Sequence, residues 1–289
     1  MGITERLANL NIPTVIVIVL VLLGIRYVLL KQESHVAKSI AETAESLAIA
    51  LGLVFLVIRP FVVQAFFIPS ESMVPALLKD DHILVNKFIY RVREPKLGDV
   101  AVFKSPPEAG KDEADFIKRV IGVPGDTVRI TEGRVVVGKT SYSHTELRNM
   151  LVRFAPEGGR GTVKLLPGKV LVDGRLVTDA EIAGAAEEPA AKVKVFPGTV
   201  YLNGKPLNEP YTAEDPETPY PDDITPREWL ASDQQHREVV KIPPGRLLVM
   251  GDNRNDSLDA RRWGLLERSR MRGKAMFIFY PPGRIQWIR

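Results

Sequence analysis

The sequence predicts an all-β fold: a mostly antiparallel β domain carrying an extra β-hairpin-rich lobe, tethered by two N-terminal transmembrane helices. Three observations carry that prediction. Two apolar runs open a chain of 289 residues, short apolar runs bounded by Gly and Pro follow them, and one hairpin-like segment occurs twice.

The first apolar run extends from Pro13 to Leu30 and is broken by the charge of Arg26. A span needs roughly 20 apolar residues, and a long arginine side chain reaches an interface from within a helix. No small-x-small cleavage site directly follows, which favours a retained anchor over a removable leader. The second run is strictly apolar only from Leu47 to Ile58, but small residues precede it and Phe61 to Ile68 extend it. Arg59 and Pro60 then mark the far interface, where a charge is tolerated and a helix can end. Lys31 to Ser46 reads as a short cytoplasmic loop. Its Lys31 and Lys38 stand against Glu33, Glu42 and Glu45, so charge bias alone does not orient the chain.

Beyond Ile68 the pattern changes to strand-length runs: His82–Val85, Asp99–Phe103, Thr127–Ile130, Arg246–Met250 and Ala275–Tyr280. Turn signals such as Pro124-Gly125, Pro244-Gly245 and Pro282-Gly283 separate them, as in an antiparallel β domain. Val163–Arg175 is echoed by Val193–Lys205. Each copy runs through Pro-Gly into Asp-Gly or Asn-Gly, which reads as a duplicated β-hairpin. Thr145–Leu151 and Thr178–Ala183 read as short helical turns, and the Pro- and acid-rich 208–238 as an exposed loop. The predicted units are 1–60, the anchor; 61–132 and 239–289, two parts of one β domain; and 133–238, an inserted hairpin lobe and loop.

The net charge is only +4 and the basic residues are mixed with acidic ones. No basic stripe argues for a nucleic-acid partner, whereas a mild basic excess suits a domain near anionic membrane lipid. The absence of cysteine excludes disulfides, thiol nucleophiles and Cys-based zinc sites. His35, His82, His144 and His236 have no metal-ligand spacing and no Gly-x-Ser-x-Gly elbow to serve, so each is expected at the surface.

The chemistry-bearing residues lie in ordered motifs. Phe66–Leu77 contains Ser70-Glu71-Ser72-Met73 and directly follows the second apolar run. Asp81–Lys87, Gly98–Phe103 and Phe116–Asp126 come next, the last with Ile117-Lys118-Arg119, and Gly251–Gly264 closes the set. A serine hydroxyl needs a neighbouring base, and a lysine serves only when its pKa is lowered by several units. Lys118 follows Phe116 and Ile117 in a strand-like run, where desolvation can do this.

In this order, after membrane spans, the motifs resemble those of bacterial type I signal peptidase, the Ser/Lys-dyad leader peptidase family. The resemblance covers about 61–126 and 201–289. It implies Ser72 as nucleophile, Lys118 as general base, and Ser70 with the Ser72 N–H as oxyanion donors. It further implies Ser257 as the residue orienting the lysine, an Asp259–Arg261 ion pair bracing that loop, and supporting roles for Asp252 and Arg254. Ile68, Pro69, Met73, Leu77 and Ile117 match positions at shallow apolar pockets that take small residues before the cut. No cofactor or metal is implied.

The expected activity is removal of signal peptides from preproteins on the outer, periplasmic face of the cytoplasmic membrane. The extended segments at Ile68 and Ile117 are expected to hold the substrate by strand addition. Phe61–Phe67, Trp263 and Trp287 read as either a bilayer-facing surface or core. Glu71 and Ala260 depart from the common pattern, and a carboxylate beside the nucleophile can raise the lysine pKa unless it points away. The alternative is a catalytically inactive membrane-anchored peptide-binding or scaffold protein, against which the intact Ser72 and Lys118 argue.

Overall fold

The computed structural model describes residues 12–32, 34–110, 113–223 and 225–288. Met1, Glu33 and the side chains at 57–61, including Arg59, Pro60 and Phe61, lie outside the described residues. Helices α1 (Ile12–Leu29) and α2 (His35–Gly52) pack together as a hairpin, and α2 continues as a π-helix over Leu53–Val62. The buried face of α2 is Ala37, Ala41, Ala44 and Ala48. That spacing is one helical stripe, and small side chains let two helix backbones approach closely. Arg26 Nε meets Glu45 across the hairpin at 2.9 Å.

The expected loop over Lys31–Ser46 is therefore corrected: from His35 onward the polar segment is helical. Its alanine stripe supplies an apolar packing face that a count of apolar residues overlooks. His35–Leu56, 22 residues with mean hydropathy 1.6, is long and apolar enough to cross a membrane, whereas Pro13–Leu29 is shorter.

The β region begins with β1 (Val63–Phe67), β2 (His82–Asn86), β3 (Val100–Lys104), β4 (Asp115–Gly122) and β5 (Thr127–Thr131). Next come β6 (Arg134–Val137), β7 (Thr140–Ser143), helix α3 (His144–Leu151), β8 (Val163–Leu166), β9 (Lys169–Val172) and β10 (Arg175–Val177). Helix α4 (Asp179–Ala185) precedes β11 (Val193–Phe196), β12 (Thr199–Leu202) and β13 (Lys205–Pro206). The chain ends with β14 (Leu230–Ser232), β15 (Glu238–Lys241), β16 (Arg246–Met250), β17 (Leu266–Glu267), β18 (Met271–Tyr280) and β19 (Gln286–Trp287).

An eight-stranded sheet runs β1-β2-β18-β3-β4-β16-β17, with β19 on β18, and its pairings are antiparallel. Register shifts in β18 at Met271/Gly273, Ala275/Phe277 and Ile278/Tyr280 bend the sheet. A five-stranded sheet, β13-β12-β5-β15-β14, shares a core with it through Val128, Ile130, Val200, Val240 and Leu248. The lobe has its own core, built from β6–β11 and the helices α3 and α4 around Val135, Leu147, Val172 and Ile182. Its body is thus narrower than the predicted 133–238: β12 to β15 belong with the first β domain, because β12 and β15 pair on β5 and carry β13 and β14 with them.

The two repeat copies fold differently. In the first, β8 and β9 form a hairpin with Leu166 opposite Lys169 and Gly168 at φ +70°. In the second, β11 pairs with β6 and β12 with β5, so no hairpin joins them. Gly198 packs where a Cβ would lie 2.2 Å from Pro216 O and 3.0 Å from Gly133 N. Its N–H donates to Asp215 at 2.6 Å. That crossing holds the chain open where an isolated Pro-Gly would turn it.

Beside the crossing, His144 is 1% exposed, which corrects its expected surface position. Its Nδ1 lies 3.2 Å from Gly133 O and its Nε2 2.9 Å from Asp215 Oδ1. Two acceptors flanking one ring favour the doubly protonated imidazolium. His35 and His236 are exposed and His82 is half-buried.

Candidate active site

Strand β1 leads out of the π-helical end of the helical hairpin into Ile68-Pro69-Ser70-Glu71-Ser72. Ile68 N–H donates to Asp81 O and its carbonyl accepts from Asp80 N–H, each at 2.9 Å, which fixes the entry to this turn. Lys118 comes from the middle of β4, between β3 and the catalytic cleft. The two motifs meet: Lys118 Nζ lies 2.6 Å from Ser72 Oγ, and Ser70 Oγ lies 3.3 Å from Ser72 Oγ. Lys118 is 5% exposed. Burial pushes its amine down to about 8, against the raising influence of Asp259 and Asp252.

The third segment, 251–261, clamps this pair. Asn253 N–H donates to Ser72 O at 3.1 Å and Asn253 Nδ2 to Glu71 O at 3.2 Å. Gly251 approaches so closely that a Cβ there would lie 2.4 Å from Ser72 O and 2.3 Å from Ser257 Oγ. Asp259 accepts from Arg261 Nε at 2.9 Å, from Arg261 Nη2 at 2.8 Å and from Gly251 N–H at 3.0 Å. Burial alone would raise Asp259, but Arg261 and these hydrogen bonds hold it below the usual carboxylate range.

Asp252 and Arg254 do not pair with each other. Asp252 binds Arg119, the residue after the lysine, in a two-pronged contact at 2.8 and 2.6 Å. Arg254 binds Glu209 at 2.6 and 2.5 Å and Gly251 O at 3.1 Å. Arg119 and Glu209 are the residues sequence reading missed. Arg119 stood inside the Ile-Lys-Arg motif, whereas Glu209 lay in a loop with no local signal.

Ser257 Oγ is buried beside Gly251, with the Asp259 carboxylate as its neighbouring acceptor, and makes no hydrogen bond to Lys118 in this structure. Of the expected pocket residues, Pro69 and Ile117 line a cleft of about 410 Å³ at the dyad, together with Ser70, Ser72, Phe116 and Leu258. Ile68, Met73 and Leu77 are buried in one apolar cluster with Ile117, Ile83, Val85 and Ile278.

Glu71 points away from the dyad and pairs with Arg160 of the lobe. That hydrogen bond and charge hold the Glu71 carboxyl below its usual range. Ala260 is buried in the core of the β domain. Trp263 packs on Phe103 at 6.1 Å between ring centroids and belongs to the core, whereas Trp287 is 68% exposed. No group of acidic or histidine side chains suited to a metal occurs among the described residues.

A serine in contact with a buried lysine, on an antiparallel β scaffold, defines a class: a hydrolase of serine type that would take its base from an amine. Residues 40–165 and 188–280 match the family described as signal peptidase, peptidase S26. A probable signal peptidase I-2 of Synechocystis sp. is 29% identical, covering 88% of this chain and 80% of that protein. A signal peptidase I of Aquifex aeolicus is 31% identical, covering 83% of each chain, and one of Pseudomonas aeruginosa is 34% identical over 73% of this chain and 58% of its own. The chain belongs to the signal peptidase family of S26 serine endopeptidases.

Proposed function

We propose that this enzyme removes N-terminal signal peptides from translocated preproteins with Ser72 as nucleophile and Lys118 as general base, working from the outer face of the cytoplasmic membrane. The observation that carries the reading is the 2.6 Å contact between Lys118 Nζ and Ser72 Oγ, with the amine buried. The neutral amine takes the Ser72 proton as Oγ attacks the scissile carbonyl. Negative charge on the carbonyl oxygen is met by Ser70 Oγ–H and the Ser72 N–H. The ammonium of Lys118 then returns its proton to the departing amine, and water, deprotonated by the same lysine, releases the acyl group. Arg119–Asp252 and Asp259–Arg261 fix β4 and the clamp so that the amine does not wander. Ser257 is the candidate to hold the neutral amine once its hydroxyl turns from Gly251.

β16 pairs with β4 only from Arg119 onward, so the Asp115–Lys118 flank lacks a strand neighbour on the cleft side among the described residues. An extended substrate segment with small side chains fits that edge by strand addition. The α1–α2 hairpin is the proposed membrane anchor. Phe67 (50% exposed), Tyr280 (52%) and Trp287 (68%) form a lipid-facing edge on the sheet that leaves it. Incubating the detergent-solubilised protein with a preprotein tests the whole reading. A discrete shortened product is expected from wild type and none from Ser72→Ala; equal turnover by that variant rules the nucleophile out.

A further inference from the structure

The cleft at the dyad has a neighbour. Beyond Glu71 and Asp256, which line both, lies a second cleft of about 780 Å³ between the catalytic turn and the lobe. The two differ in charge rather than in apolar content. The dyad cleft has Asp115 and Lys118 beside Phe116, Ile117 and Leu258, while the second carries more charged groups, Lys79, Arg148, Arg160, Asp173 and Glu214, beside Val74 and Leu78. One lobe residue reaches across the junction: Arg160, 72% exposed, pairs with Glu71, the residue beside the nucleophile. Asp256, at the same junction, has no salt bridge among the described residues.

We propose that this second cleft receives the mature side of the substrate, the residues just after the scissile bond, and that the Glu71–Arg160 pair sets which charges it accepts. The inference rests on the signal-peptide reading above. A chain entering from the bilayer passes β1 and the dyad cleft first, because β1 follows the helical hairpin and runs to Phe67, just before Ile68. The signal segment, apolar and small-sided near the cut, matches that lining. Past Ser72 the continuing edge of β4 is closed by β16, and the chain must turn. The opening available to it there is flanked by Glu71 and Asp256 and leads into the more highly charged cleft. In the wild-type protein Arg160 neutralises Glu71, so acidic and basic residues after the cut meet a nearly balanced surface. Glu71 is thereby a residue with two faces: its carbonyl is held by Asn253 at the nucleophile turn, and its carboxylate belongs to the lobe.

The test compares three preprotein peptides identical up to the cut and bearing Lys, Gln or Glu at the second and third positions after it. The readout is the ratio of kcat/KM for the Lys peptide to that for the Glu peptide, which cancels any uniform loss. Arg160→Glu is expected to raise that ratio about tenfold, an electrostatic difference of about 1.4 kcal/mol. Arg160→Gln should raise it less. A second peptide set carries the same charges well before the cut, on the signal side, where the ratio is expected to stay put. An unchanged ratio in the first set, or an equal change in both sets, overturns the subsite. Failure of the wild-type enzyme to cleave even the Gln peptide would instead overturn the signal-peptidase reading on which the subsite depends.

Discussion

Burial pushes the Lys118 amine from 10.5 down to about 8, with consequences for activity and for stability. The acidic limb of the kcat/KM profile should fall near that value, because the free enzyme must hold the amine neutral. Lys118→Arg should be as inactive as Lys118→Met, since a guanidinium keeps its proton. The stability effect runs the other way. Below about pH 8 the folded protein holds an ammonium in a desolvated strand, which costs about 3 kcal/mol relative to the unfolded chain. Between about 8 and 10.5 the unfolded chain binds more protons than the folded one, so stability rises with pH. Lys118→Met should therefore be more stable than wild type at pH 7, with the gap closing as pH climbs, read by thermal unfolding in detergent. Ser70→Ala should keep measurable activity, reduced by roughly 10²-fold, as loss of one oxyanion donor predicts. The meeting of Ser72 with Lys118 was legible because both residues sit in motifs readable in one dimension. Arg119 as the partner of Asp252 was not, because nothing local distinguishes it from an ordinary strand arginine.

Among the elements, the two Pro-Gly copies show where sequence pattern stops deciding structure. Pro167-Gly168 turns a hairpin, while Pro197-Gly198 stays open because Gly133, Asp215 and Pro216 close around it. Gly198→Ala should destabilise the lobe by about 1–3 kcal/mol or more, since the added methyl meets a backbone oxygen that cannot retreat. The same junction carries a charge expected to titrate. Burial disfavours the His144 imidazolium, but the Asp215 hydrogen bond and charge outweigh it and raise the pKa. A raised folded pKa gives stability that is complete below the unfolded value, about 6.5, and is lost as pH rises through the folded one. Wild type should accordingly lose more stability between pH 6 and 9 at this junction than His144→Gln, whose amide is indifferent to pH; equal pH dependence of the two melting curves would show that the ring is not charged. The strands and the presence of a lobe were readable from alternation and turn residues. The lobe's true limits were not, because β12 and β15 take their partner, β5, from far back in the chain.

For the whole molecule, two apolar runs were visible in the sequence, but the hairpin they form depends on alanines at 37, 41, 44 and 48 inside a segment that looks polar. Ala41→Leu should part α1 from α2 while leaving the β domains folded, detectable as a loss of crosslinking between cysteines introduced on the two helices. Digestion of intact spheroplasts should remove the domain beyond residue 69, as the proposed orientation requires; protection until lysis would reverse it.

The clamp also carries a consequence for synthesis. Ser72 and Lys118 are 46 residues apart, but Asp252 lies 133 residues beyond the Arg119 it holds. A growing chain owns both reactive groups long before it owns the strand and loop that cover them. Until then the lysine is in water, protonated, and inert. The newborn protease is thus expected to be silent until the segment carrying Gly251 and Asp252 has been made. A chain truncated before Gly251 should show no hydrolysis of a preprotein at pH 8; activity from that fragment would mean that the dyad ripens without its clamp.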